Sequence, residues 1–339
     1  MIKLVKTAEG HLMATLIITN GTSAADLLRE AQIGDAILPW EDVLHEGPVP
    51  DADDTLFAAI RSKALADGYV HTEASVMETF KNRFDILRAH QDFDRIDLWF
   101  EHDLYDQLQI LQVLDMLSRF GRTNNVFITQ APTYLGMQKP DTISRFEELT
   151  LPVLDRMFAF ASKAWHAYTS GGPEAVNALR KEPIPGFPFM GHALLRALQE
   201  LPGSDGLSRT ERQILYSLDR GVTRPGMLFA QVQNMEEAIF LGDLTFFQIL
   251  SGLQYCQRPA LTGLPQDFKA RILSNSEQRK EFITSPLHIT DFGKKALSGH
   301  ADFLSENGLH RWWGGTELTT ADHWRWEDDG ELLSHHRAA

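Results

Sequence analysis

The chain has one cysteine, Cys256, in 339 residues. A single thiol excludes a disulfide framework and any zinc site built on cysteine pairs. No run reaches 18 apolar residues, so no stretch reads as a membrane span. Positive charge is scarce: 32 Lys and Arg face 46 Asp and Glu, a formal net charge of −14. Such a surface repels phosphate backbones and anionic membranes and argues against both as partners, although it leaves room for a local basic pocket. The P-loop, H-E-x-x-H and G-x-S-x-G patterns are missing, so the usual NTPase and hydrolase readings have no support, and the G-x-G-x-x-G of a dinucleotide site is absent too. The segment Met1 to His11 carries two lysines but neither a long apolar core nor an Ala-x-Ala site. It is no secretory signal, and the cytoplasm is the expected location. Residues 1–12 are expected to form an extension without structure.

What is present is globular. The hydrophobic share is 43% and the charged share 23%, close to the average for soluble domains. The length suggests two or three domains. Short β-branched or apolar runs read as strands at 15–19, 35–39, 95–100 and 125–129. Between them lie helical patterns: Thr22 or Ser23 caps one running to about Gln32, where Gly34 stops it. Others cover 55–67, 72–90 and 103–120, the last with Leu104, Leu108, Leu111, Leu114 and Leu117 at helical spacing. Strands alternating with helices predict an α/β domain over 13–148, a Rossmann-like parallel sheet with helices on both faces.

From Leu151 the pattern turns helical: about 151–168, 173–181 and 189–201 in a segment spanning 149–204. Pro202 to Gly206 reads as a linker-like break. A C-terminal domain, 205–339, follows with helices near 208–219, 226–238 and 243–256, then a strand at 287–290 and a helix capped by Asp291. Three helices and a strand pair give the order of a winged-helix-like module. Trp312, Trp313, Trp324 and Trp326 are expected to pin the tail onto this domain. Cys256 is expected to be inert core in a helix.

In an open parallel sheet, ligands bind beyond the carboxyl ends of the strands. Four polar clusters sit there. Asn20, Gly21 and Ser23 lead into a helix N-terminus, which favours an anion such as phosphate; a plain turn and cap is the alternative. Asp42 lies about twenty residues on, where a dinucleotide fold places its ribose acid. His45 follows in a loop closed by Gly47-Pro48. Glu101, His102 and Asp103 follow a buried strand, with Asp103 a natural N-cap and Asp106 a dipole-stabilised acid of the first turn. Glu101 has no such structural excuse, and a carboxylate at the mouth of a buried strand is desolvated. His45, Glu101 and Asp103 are therefore the candidate catalytic residues, and Asn20, Gly21, Ser23 and Asp42 the candidate ligand-binding ones. Asp42 and His45 with Glu101 or Asp103 can form a carboxylate–imidazole set for acid–base work, or a His/carboxylate metal site. Ordinary hydrogen bonding of a loop histidine is the plainer alternative. No metal and no cofactor is assigned.

Here the chain resembles a bacterial family of uncharacterised proteins, domain of unknown function 1835. The resemblance rests on Thr19-Asn20-Gly21-Thr22-Ser23, on Trp40-Glu41-Asp42-Val43-Leu44-His45-Glu46-Gly47-Pro48, and on Leu98-Trp99-Phe100-Glu101-His102-Asp103 with Gln107-Leu108. It covers roughly residues 14–140. Leu241-Gly242-Asp243 and Asn307-Gly308-Leu309 are similar to the companion region often found with it. Other members often carry Asp where this chain has Thr22. The resemblance implies a domain and no established activity.

Three functions compete. The first is a small-molecule binder or enzyme, its ligand nucleotide-like or phosphate-bearing. The second is a regulator or adaptor whose C-terminal part docks a protein partner. The third, a DNA-binding winged helix, is disfavoured: residues 205–339 hold 14 basic and 18 acidic side chains, and a DNA reader shows a basic face. Its candidate recognition helix, Asp243 to Leu250, is apolar and reads as core.

Overall fold

A computed structural model describes residues 14–68, 71–329 and 331–338; the extension expected at 1–12 lies outside them. The chain divides into two compact units. One comprises Met1–His45, Asp51–Ala58 and Met77–Leu194, the other Glu46–Pro50, Ala59–Val76 and Leu195–Ala339.

The first unit is built on the alternation that the sequence predicts. β1 (Thr15–Thr19) leads through α1 (Thr22–Glu30) to β2 (Ala36–Pro39). After α2 (Asp54–Gly68) and α3 (Glu73–Arg88), whose residues between Ala59 and Val76 belong to the second unit, come β3 (Arg95–Phe100), α4 (Leu104–Arg119) and β4 (Val126–Gln130). These four strands are parallel, and β5 (Leu151–Pro152) joins β4 antiparallel, giving the order β2-β1-β3-β4-β5. Strand alternation splits the core between two faces. Ile17 and Trp99 pack with Ala24, Ala25 and Leu28 of α1 on one face. Leu16, Ile18, Leu98 and Phe100 are buried on the other, where α4 packs against β3 and α5 (Asp155–His166). A π-helical turn, Ala167–Gly171, then leads to α6 (Gly172–Leu179).

Several local expectations need correction. Neither Thr22 nor Ser23 caps α1: Gly21 is the N-cap, without a side-chain bond, and the Thr22 hydroxyl donates to Glu41 instead. The helix ends at Glu30, and Gly34 lies in the turn beyond it with φ +81°. Leu151 opens no helix. Thr129 and Thr150 pair through their hydroxyls at 2.7 Å, Val153 N–H donates to the Val126 carbonyl, and the segment between adds an edge strand.

The second unit is mostly helical. α7 (Met190–Leu198) reaches it, followed by α8 (Arg209–Asp219), α9 (Pro225–Gln233) and α10 (Asp243–Gln254). α9 stops five residues before the expected 238. β6 (Leu261–Thr262) pairs antiparallel with β7 (His288–Ile289), with α11 (Ser276–Thr284) between them. This is the expected helix–helix–helix–wing order. Phe246, Phe247, Leu250 and Leu253 of α10 are buried. Phe247 packs on Phe229, Phe268 and Phe282 with ring centres 5.4–6.1 Å apart, so the would-be recognition helix spends its face on the core.

α12 (Asp291–Leu297) is capped by the Thr290 hydroxyl, not by Asp291. α13 (Phe303–Asn307) follows. The tail forms two hairpins with no sequence-level expectation behind them: β8 (His310–Trp313) with β9 (Thr316–Thr319), and β10 (Asp322–Glu327) with β11 (Leu332–Arg337). Trp313 and Trp326 are buried there, and Trp313 Nε1 donates to the Ala197 carbonyl at 2.7 Å. They pin the tail as expected. Pro202 to Gly206 is a packed turn and no linker: Asp205 is buried against Arg212, and Trp326 N–H donates to the Pro202 carbonyl. Cys256 lies just past α10, half-buried, rather than inside its core; burial pushes its thiol pKa up.

Candidate functional site

The strand order decides where a site belongs. From β1 the chain moves to β2 on one side, then back across β1 to β3 on the other. The crevice between the carboxyl ends of β1 and β3 is thus the topological switch point, the usual ligand position in such sheets. Thr19 is in register with Trp99, which brings Asn20 beside the residues that follow β3.

Three carboxylates meet there. Glu101, Asp103 and Asp106 are 5%, 3% and 1% exposed, and one oxygen of each lies within 4.8 Å of the others. Helix geometry builds the group. Asp103 is the N-cap of α4, its Oδ1 accepting from Asp106 N–H at 3.2 Å. Asp106, one turn on, folds back to accept from Glu101 N–H at 2.6 Å and from Asn20 Nδ2 at 3.0 Å. Glu101 Oε1 accepts from Leu135 N–H at 2.6 Å, and Gln107 Nε2 donates to the Glu101 carbonyl at 2.8 Å. Next to Leu135, Gly136 lies close to the start of α1: a Cβ there would meet Ser23 Cβ at 3.2 Å.

Among the described residues, the groups that act most on the three acids include no basic side chain. Burial raises the Glu101 pKa, with Leu135, Asn20 and Gly136 pulling partly back. Burial, then the Glu101 charge, lifts Asp103 to about 7. Burial with both neighbouring acids holds Asp106 well above the usual range. Burial and like charge thus act in one direction on neighbouring carboxyls, and Asp103 is half-protonated near neutrality.

Asp42 and His45 lie beside this group, outside it. Their loop is tied down by α4 and the π-turn: Trp40 Nε1 donates to Gln112 at 2.6 Å, Gln109 Nε2 to the Asp42 carbonyl at 3.0 Å, and Tyr168 hydroxyl to the Leu44 carbonyl at 3.0 Å. Asp42 is fully buried. The His45 ring meets Tyr105 edge-on at 6.0 Å. Tyr105 links the two parts: its hydroxyl donates to the Asn20 carbonyl at 3.1 Å, and burial, then the Asp106 charge, raises its pKa. Gly21 is half-buried and Ser23 exposed at the start of α1. Asn20, Glu101 and Asp103 thus come together with Asp106, whose part went unread. Its position in a first helical turn is shared by many acids; the one available signal was its spacing of three from Asp103 and five from Glu101.

Half-buried aromatic rings gather about His102, which stands between Glu101 and Asp103 in the chain. His102 packs on Tyr134 at 5.1 Å and on Phe189 at 5.8 Å, and burial lowers its pKa. At the amino ends of β1 and β3 opens a separate groove of about 360 Å³, lined by Asp35, Arg95, Asp97 and Glu147 among others. Arg95 is already occupied, bonded to Asp97 at 2.6 Å and lying over Phe127 at 3.9 Å.

Among the described residues no helix is long and apolar enough to cross a membrane. No family model matches the chain, and no curated protein is significantly similar to it.

Proposed function

We propose that the chain binds a small polar molecule, nucleotide-like or phosphate-bearing, at the carboxyl edge of its sheet and transfers a proton there. The observation that carries this reading is the buried Glu101–Asp103–Asp106 group at the switch point. Buried carboxylates without a cation cost free energy and are tolerated where a ligand or a proton-transfer task uses them. A carboxyl pKa of about 7 suits a group that both gives and takes a proton. Asp103 and Glu101 are the exchanging pair in this reading, and His45 borders the ligand. The first turn of α1 has no acid of its own and no side-chain cap; in this reading the ligand's anionic end takes the place of the Glu41 carboxylate bonded to Thr22 there. We also propose membership of the uncharacterised family 1835, on the quoted motifs alone.

One observation favours a second reading. Three oxygens within 4.8 Å match the hard, oxygen-rich ligation of Mg²⁺ or Ca²⁺. Thermal denaturation with AMP, orthophosphate, Mg²⁺ and Ca²⁺, each with wild type and Glu101→Gln, tests both. Stabilisation by AMP or orthophosphate that Glu101→Gln weakens supports the first reading. Stabilisation by a cation alone supports the second. No response to any probe contradicts both.

A further inference from the structure

The groove of about 360 Å³ at the amino ends of β1 and β3 has no part in that reading. It lies wholly within the first unit. The two strands supply its floor: Ile17 stands in register with Asp97, and alternation turns both toward the face that α1 covers further along. The turn after α1 forms one wall. Gly34, at φ +81°, brings it down so closely that a Cβ there would meet Ile17 Cδ1 at 2.6 Å.

Asp97 is out of place on such a floor. It stands in the middle of an interior strand and is only 9% exposed. Arg95 Nε donates to its Oδ1 at 2.6 Å, and Arg95 also lies over the Phe127 ring. Among the described residues nothing donates to Oδ2. A carboxylate so buried is costly with one oxygen unbonded. Asp97 lines the groove, so a donor entering there completes it.

Two further acids line the same groove. Asp35 accepts from Thr15 N–H at 2.8 Å, and Glu147 is exposed. Three carboxylates against one guanidinium call for a cation. A single metal ion does not fit: among the described residues, the acids close enough to share one are Glu101, Asp103 and Asp106. Asp35 precedes β2 and Asp97 lies in β3, on opposite sides of β1, so their backbones stand about 10 Å apart. The positive charge that suits the groove is therefore spread along a molecule. Ile17, Ile33 and Trp99 add apolar lining for methylene spacers.

Independently of the chemistry at the carboxyl edge, we propose that this groove binds a linear aliphatic polyamine. One ammonium donates to Asp97 Oδ2, and the others reach Asp35 and Glu147.

Calorimetric titration of the full chain with spermidine, butylamine and Mg²⁺, at about 150 mM salt to screen diffuse attraction, tests this. Spermidine should bind one-to-one and at least about tenfold tighter than butylamine. Asp97→Asn should weaken spermidine by about tenfold and Glu147→Gln by about threefold. Glu147→Gln, on an exposed turn, carries the test if Asp97→Asn folds poorly. Glu281→Gln, exposed in the second unit, should change nothing. Absence of spermidine binding overturns the proposal, as does binding that survives both groove variants or falls equally with Glu281→Gln. Equal affinity for butylamine also overturns it. So does Mg²⁺ binding as tight as that of spermidine and lost with Asp97→Asn, which marks a metal site instead.

Discussion

Around α7 the chain buries Arg196 among Glu200, Glu236 and Thr210, with donor–acceptor distances of 2.7–3.0 Å. At the carboxyl edge of the sheet it buries Glu101, Asp103 and Asp106 together, bonded to the Asn20 amide and backbone N–H groups. Both regions desolvate several carboxyls, yet Glu200 and the sheet-edge acids shift in opposite directions. Burial pushes Glu200 up, but Arg196, Thr210 and Arg311 more than offset it and leave its pKa below the usual value. At the sheet edge burial and like charge act in the same direction, and all three pKa values rise. Around α7 the buried carboxyls share a cation. The group at the sheet edge is bonded to an amide and backbone N–H groups instead, and it stands where an open parallel sheet presents a ligand crevice.

The largest effect that separates the two regions should come from Arg196→Met. It leaves Glu200 and Glu236 buried without their cation, and breaking such a pair costs about 3–5 kcal/mol. Guanidinium denaturation at pH 7 measures it; a loss under about 1 kcal/mol would equate the two regions and break the comparison.

Next comes pH. The folded pKa of Asp103 is about 7 against an ordinary 3.8. A raised carboxyl leaves stability intact below about pH 4, where both states are protonated, and erodes it as pH rises through 7. The slope is on the order of 1.4 kcal/mol per unit of pKa displacement. Asp103→Asn should flatten the stability curve between about pH 4 and 7.5 and leave the variant more stable than wild type above 7. A parallel curve for the variant contradicts this.

Two helix caps sharpen the contrast on a smaller scale. Ser208 caps α8 in a reciprocal box with Glu211, so Ser208→Ala should cost about 1 kcal/mol at every pH. Asp103 caps α4 with an acid held among acids, so its cost should vary with pH. Smallest is Gly21→Ala. Its φ of −172° is open to any residue, and a Cβ would meet nothing within 4 Å. The change in stability should stay within about 0.5 kcal/mol. A loss above 1 kcal/mol would show that the start of α1 is structurally constrained.

The sheet was legible because its strands are continuous apolar runs, and a parallel arrangement delivers every following loop to one edge. That logic places Asn20, Glu101 and Asp103 together without any contact in view. Asp106 escaped because helix-dipole stabilisation already explained it; its fold-back onto the Glu101 N–H and its tertiary bond from the Asn20 amide mark it. Asp42 and His45 were expected within the group and instead border it through Tyr105, since Gln109, Gln112 and Tyr168 hold their loop by backbone carbonyls and one indole. No sequence pattern encodes such bonds. β10 and β11 were equally hidden: Trp324 stacks on His335 at 4.0 Å, a cross-strand pair that alternation alone does not reveal. Thr290 beat Asp291 to the cap of α12 by one residue, a margin within which both side chains are good caps.

Carboxyl ¹³C NMR of the chain labelled at Asp and Glu, titrated from pH 3 to 9 and assigned with Glu101→Gln, Asp103→Asn and Asp106→Asn, tests the central claim most directly. The account predicts that the Asp103 resonance titrates near pH 7, that those of Glu101 and Asp106 shift with it, and that each substitution lowers the midpoints of the remaining two. Full ionisation of all three carboxyls by pH 5, with no coupling among them, would contradict it.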